Sequence, residues 1–132
     1  MKEITKEWIE KAEGDWKTAL KEFNSSDPVY DNICFHAHQC VEKYLKAILV
    51  ENLVYFEKIH DLGILAEQVK NFLPEILNKQ EDLIWLTQYS VRVRYPGFNA
   101  TEKDSIKAIE TAKEIRKIIR DYFKMEVKDE DD

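Results

Sequence analysis

A chain of 132 residues that is 44% hydrophobic and 35% charged, with three glycines and three prolines, is built for long helices around one core rather than for turn-rich β-structure. Its formal net charge of −6 excludes broad electrostatic binding of nucleic acid, which needs lysine and arginine to displace counterions from phosphates. No apolar run approaches the roughly 20 residues that cross a bilayer, the N-terminus lacks a signal-peptide stretch, and Cys34 and Cys40 point apart on one predicted helix, so a soluble cytoplasmic protein with reduced thiols is expected.

In chain order, Thr5 is the expected N-cap of a first helix, with Ile4 and Ile9 placed to form a hydrophobic staple. Ile4, Trp8, Ala12, Trp16, Ala19 and Phe23 repeat at three and four, Asp15 lies beside that stripe, and Gly14 weakens the helix without ending it. Asn24 to Pro28 stops helix 1, with Asp27 as cap and Pro28 as first residue of helix 2, which runs to about Glu51. This second helix is predicted to be central. Ile33, Ala37, Cys40, Val41, Tyr44 and Ile48 form one apolar face, Phe35, Leu45 and Leu49 extend it, and only the strip His38, Gln39, Glu42, Lys43, Lys46 is left for water.

After a connection over residues 52–58, Asp61 caps a shorter helix carrying Leu62, Leu65, Ala66 and Val69, expected to end near Phe72. Pro74 opens a turn or a fourth helix with Leu83, Ile84, Leu86, Tyr89 and Val93, ending at Pro96-Gly97. Thr101 with Asp104 is a capping-box variant, and Ile106, Ile109, Ala112, Ile115, Ile119 and Tyr122 or Phe123 define a long last helix. The predicted fold is all-α, an up-and-down antiparallel bundle of about five helices over residues 1–123, followed by an acidic, disordered tail over 124–132.

Three groups of residues invite a functional reading. Cys34, His36, His38 and Cys40 are zinc-ligand types, but on a helix they project in two directions roughly 160–200° apart and cannot converge on one ion, so no metal or cofactor is expected. The strip on helix 2, with Asp15 and with Arg92 or Arg94, reads equally as a structural charge network and as a ligand pocket. In Arg92-Val93-Arg94-Tyr95-Pro96 two guanidinium groups can grip phosphate while the aromatic ring stacks a base. The competing role is cationic stabilisation of a helix C-terminus, which does not require two arginines on different sides of the helix.

Glu13-Gly14-Asp15, Ala37-His38-Gln39-Cys40-Val41-Glu42-Lys43-Tyr44-Leu45-Lys46-Ala47, Ile59-His60-Asp61-Leu62 and Arg94-Tyr95-Pro96, in this order, resemble the HEPN domain family over nearly the whole chain. The resemblance implies a helical bundle, dimerisation and kinship with the substrate-binding subunits that accompany small nucleotidyltransferases; other members of the family are RNA-cleaving toxins. That RNase branch has a histidine after an arginine with four to six residues between the two. Here every histidine precedes every arginine, and the permitted positions after Arg94 are Asn99, Ala100 and Thr101, none of which is a general acid or base near neutral pH.

The leading reading is a non-catalytic module, acting with a nucleotidyltransferase, that binds a nucleotide or nucleic-acid end through Arg94, Arg92, Tyr95, Lys43, Lys46 and His38. Asp15, Gln39, Glu42, His60 and Asp61 form its orienting network, with Asp15 or Glu42 expected to orient Arg94. Alternatives are an RNase toxin with a displaced site, in which His60 or His38 does the acid–base work beside Arg94, and a purely structural dimerisation module.

Overall fold

The structure, a computed structural model, describes residues 1–125 and consists of five α-helices and two 3-10 segments. The helices are α1 (Glu3–Phe23), α2 (Tyr30–Glu51), α3 (Leu62–Val69), α4 (Gln80–Thr87) and α5 (Glu102–Tyr122); the 3-10 segments are Pro74–Lys79 and Arg92–Arg94. Most of the expected acidic tail lies outside the described residues. Among the described residues no helix is long and apolar enough to cross a membrane.

The all-α bundle is as predicted, and α2 is its axis. Ile33, Ala37, Cys40, Val41, Tyr44, Leu45, Ile48 and Leu49 are all fully buried. They are covered by α1 on one side, α5 on another, and α3, α4 and the second 3-10 segment on the rest. Antiparallel packing of α1 and α2 is visible in its cross-links: Thr5 donates to Glu51 at one end, and Asp15 meets Lys43 further along. Helix α5 instead runs parallel to α2, since Tyr30 bonds Glu102 at their beginnings and Asn52 bonds Tyr122 at their ends. The reason lies in the connection. Two eight-residue helices and the segment 88–101 carry the chain back beside α2 to its N-terminal end, where Asp31 accepts from the Ala100 N–H.

Several local signals act as expected. Asp61 accepts from the Ile64 N–H as N-cap of α3, and Thr101 with Asp104 forms a complete capping box on α5. Helix α5 closes with Lys124 at φ 57°, where the Met125 N–H bonds Arg120 and the Lys124 N–H bonds Asp121, satisfying carbonyls that the helix leaves open.

Others do not. Helix α1 starts at Glu3, so Thr5 is a buried helical residue on Glu51 rather than a cap, and Ile4 is exposed while Ile9 enters the core. Helix α2 starts at Tyr30 after Val29, two residues beyond the expected Pro28, and the Val29 N–H is held by Glu22 rather than by a local cap. Helix α3 ends at Val69 and α4 at Thr87, short of Phe72 and Pro96-Gly97, and the arginines stand on a separate 3-10 turn whose Val93 is buried.

Candidate functional site

Three clusters of charged side chains surround α2. In the first, α1 places Glu13 against α5, where Arg116 Nε and Nη2 donate to its two oxygens at 2.7 and 2.8 Å and Arg120 Nη1 stands at 3.7 Å. The Tyr44 hydroxyl donates to the same carboxylate, and the Arg116 guanidinium lies 5.5 Å from the Trp16 ring centroid. With Arg116 only 1% exposed, this is a bolt through the three long helices.

The second cluster takes in three of the five residues of the wet strip expected on α2, while Gln39 and Lys43 stay partly exposed. His38, Glu42 and Lys46 are buried, at 0%, 4% and 5% exposure. The cover comes from segment 52–61 and from Trp8: His60 Nδ1 donates to Glu42 Oε1 at 2.8 Å, Lys46 Nζ donates to Oε2 at 3.0 Å, and Lys46 stands 5.8 and 5.3 Å from the centroids of Trp8 and Phe56. His38 Nε2 donates to the His60 carbonyl at 2.9 Å, which fixes its proton on Nε2, and Nδ1 faces the Gln39 amide at 3.2 Å. Lys46 and His38, expected to contact a ligand, are buried and bonded inside the bundle. Asp61, beside His60, is occupied as the α3 cap.

The third cluster is half-buried and faces outward. Asp15 accepts from His36 Nδ1 at 2.9 Å and from Lys43 Nζ at 2.5 Å, so α1 clamps two residues one heptad apart on the same side of α2. His36 packs edge-on against Phe35, with centroids 5.3 Å apart, and the Arg94 guanidinium stands 5.2 Å from the same Phe35 ring. Arg92 stacks in the same way on Phe98 at 4.8 Å. Arg92, Arg94 and Tyr95 are exposed, and among the described residues neither arginine forms an ion pair. Asp15 and Glu42 do not orient Arg94, because Asp15 is engaged by His36 and Lys43 and Glu42 by Lys46 and His60. What Arg94 lies against is an aromatic face.

Sequence reasoning misses His36 because it weighs that residue only as a metal ligand. Its spacing of seven from Lys43, opposite an acid on the neighbouring helix, is the available signal. Cys34 and Cys40 are both fully buried, and burial pushes the Cys34 thiol up to about 12 and Cys40 well above its usual range, so neither is a thiolate near neutral pH. Among the described residues no three His, Cys, Asp or Glu side chains stand together to hold a metal ion.

The HEPN domain model matches residues 5–122. The chain belongs to the HEPN domain family. A protein of Methanocaldococcus jannaschii named "Putative toxin MJ1304" is 27% identical over 138 aligned residues, covering 89% of this chain and 86% of that protein. The fold is also that of the crystal structure of TT1696 from Thermus thermophilus, with a TM-score of 0.77, 17% identity, and coverage of 89% of this chain and 97% of the other. This HEPN domain therefore combines a sealed polar interior with one exposed arginine turn.

Acid should weaken the domain through the buried pairs. Burial acts to raise the Glu13 and Asp15 carboxyls, but the bonds from Arg116 and Tyr44, and from His36 and Lys43, outweigh it and hold both below the usual carboxylate range. Burial lowers His38, keeping it neutral. In all three cases the unfolded chain binds protons at a higher pH than the folded one. Stability is thus complete above the ordinary imidazole value, falls as pH drops through it on account of His38, and falls again through the carboxylate range. Urea midpoints measured from pH 8 to pH 3 should decrease in that order; a midpoint that rises on acidification would contradict these assignments.

Proposed function

We propose that this HEPN domain is a cytoplasmic, homodimeric module of a toxin–antitoxin type that binds a nucleotide or nucleic-acid end and works with a small nucleotidyltransferase, without carrying the RNase chemistry of other HEPN proteins. One observation carries the reading. Arg92 and Arg94 lie on a single short turn, each stacked on a ring and with no carboxylate partner among the described residues, beside Tyr95 at 63% exposure. Stacking holds a planar guanidinium still while leaving its hydrogens for a phosphate, and Tyr95 offers a base a face to stack on.

Two further observations fit. The arginine-then-histidine spacing is missing, and His38 is sealed in the core, which removes one of the imidazoles that a displaced RNase site would use. The name of the Methanocaldococcus relative supports a toxin setting.

Calorimetric titration with mononucleotides and short oligonucleotides tests the binding. Arg94→Ala should weaken it by about 1.5–3 kcal/mol, the range for hydrogen bonds to charged groups, and Arg94→Lys should not restore a bidentate contact. Wild type that binds none of these ligands, or Arg94→Ala that binds them unchanged, would overturn the reading. Monomeric sedimentation at micromolar concentration would remove the dimer from it.

A further inference from the structure

Arg92 and Arg94 explain affinity for any phosphate but give no reason to choose an end over the middle of a strand. The His36–Asp15–Lys43 cluster supplies one. Asp15 engages Nδ1 of His36 and one hydrogen of the Lys43 ammonium, which leaves His36 Nε2 and two ammonium hydrogens for a ligand. All three side chains are partly exposed, at 30%, 12% and 25% for His36, Asp15 and Lys43, and the Phe35 ring neighbours both His36 and Arg94, at 5.3 and 5.2 Å.

Resting on the nucleic-acid-end reading above, we infer that His36 and Lys43 form a subsite for a terminal phosphomonoester, with the adjoining phosphodiester held by Arg94 across Phe35. The charge count selects the end. With neutral His36, Lys43 and Asp15 cancel and the cluster carries no net charge; with protonated His36 it carries one positive charge. An internal phosphodiester is a monoanion and is matched by Arg94 alone. A terminal phosphomonoester gains its second negative charge near pH 6 and can be matched by a protonated imidazole. A doubly charged phosphate against the ring favours the protonated imidazole over the neutral one, so binding of the terminal phosphate and protonation of His36 are coupled.

The charged groups facing His36 are Asp15 on α1, Lys43 on its own helix and, beyond Phe35, Arg94 on the 3-10 turn. Asp15 is what lets two cations sit together without a ligand. Its carboxylate is held below the usual range by those same two partners and so stays charged near neutral pH.

The test uses the full chain and two oligonucleotides of the same short sequence, one with a terminal phosphate and one with terminal hydroxyls. Titration in two buffers of different ionisation heat reads proton uptake directly. Wild type should bind the phosphorylated end about tenfold or more tightly, the factor that one hydrogen bond to a charged group supplies, and should take up a proton on doing so at pH 7. His36→Gln should abolish both the preference and the proton uptake while still binding the hydroxyl-ended strand; Lys43→Gln should reduce the preference. Equal binding of the two ends by wild type, or His36→Gln that retains preference and uptake, would overturn the subsite. Failure of wild type to bind either oligonucleotide would instead overturn the underlying reading of Arg94, and the subsite with it.

Discussion

Arg116→Ala is expected to destabilise the domain by about 3–5 kcal/mol, the cost of removing one member of a buried, hydrogen-bonded pair. Two effects add. The change strips two donors from Glu13, leaving a half-buried carboxylate to Tyr44 and Arg120, and it removes the guanidinium that packs on Trp16 between α1 and α5. Arg116→Lys should recover only part of the loss, because an ammonium cannot reproduce the bidentate fork. Chemical denaturation would show a lower midpoint at unchanged slope; a shift below about 1 kcal/mol would mean that Glu13 is solvated well enough without Arg116.

Lys46→Ala should cost a similar amount, about 3–5 kcal/mol, although lysine is usually a surface residue. The residue is 5% exposed, bonded to Glu42 and flanked by Trp8 and Phe56, so truncation leaves a cavity under segment 52–61 and a buried carboxylate with His60, and His38 at 3.9 Å, beside it. The pair is not thereby a net source of stability. Replacing both members, Glu42→Gln with Lys46→Met, should cost far less than Lys46→Ala alone, since desolvating the two charges offsets most of their attraction. A double-mutant cycle measures this, and additive losses would contradict the pairing.

The parts of the fold that could be read from sequence are those written in local chemistry. The period of apolar residues fixed the buried face of α2, and Asp61, Thr101 and Asp104 announced their helix starts, because capping depends on residues at most three apart. The polar strip of α2 misled for the opposite reason. Polar letters at helical spacing imply water unless something distant covers them, and here the cover is Trp8, Phe56 and His60, with the charges satisfied among themselves. The same distance effect hid the role of Asp15: its sequence position beside the α1 stripe was visible, but whether it met Arg94 or His36 depended on the angle at which α1 crosses α2. Arg92 and Arg94 were legible as a pair, yet the rings they lie against, Phe98 and Phe35, are linked to them by no local pattern.

The central claim is a division of labour, with the buried charges around Glu13 and Glu42 holding the bundle and the arginine turn contacting the ligand. Measuring binding and melting together on Arg94→Ala tests it most directly. Arg94 is exposed, carries no ion pair among the described residues and touches one aromatic face, so its removal should leave the melting temperature close to wild type while nucleotide binding falls by about 1.5–3 kcal/mol. If instead Arg94→Ala melts the domain, and wild type shows no heat on titration with nucleotide, the arginine turn is a structural strut and the division is wrong.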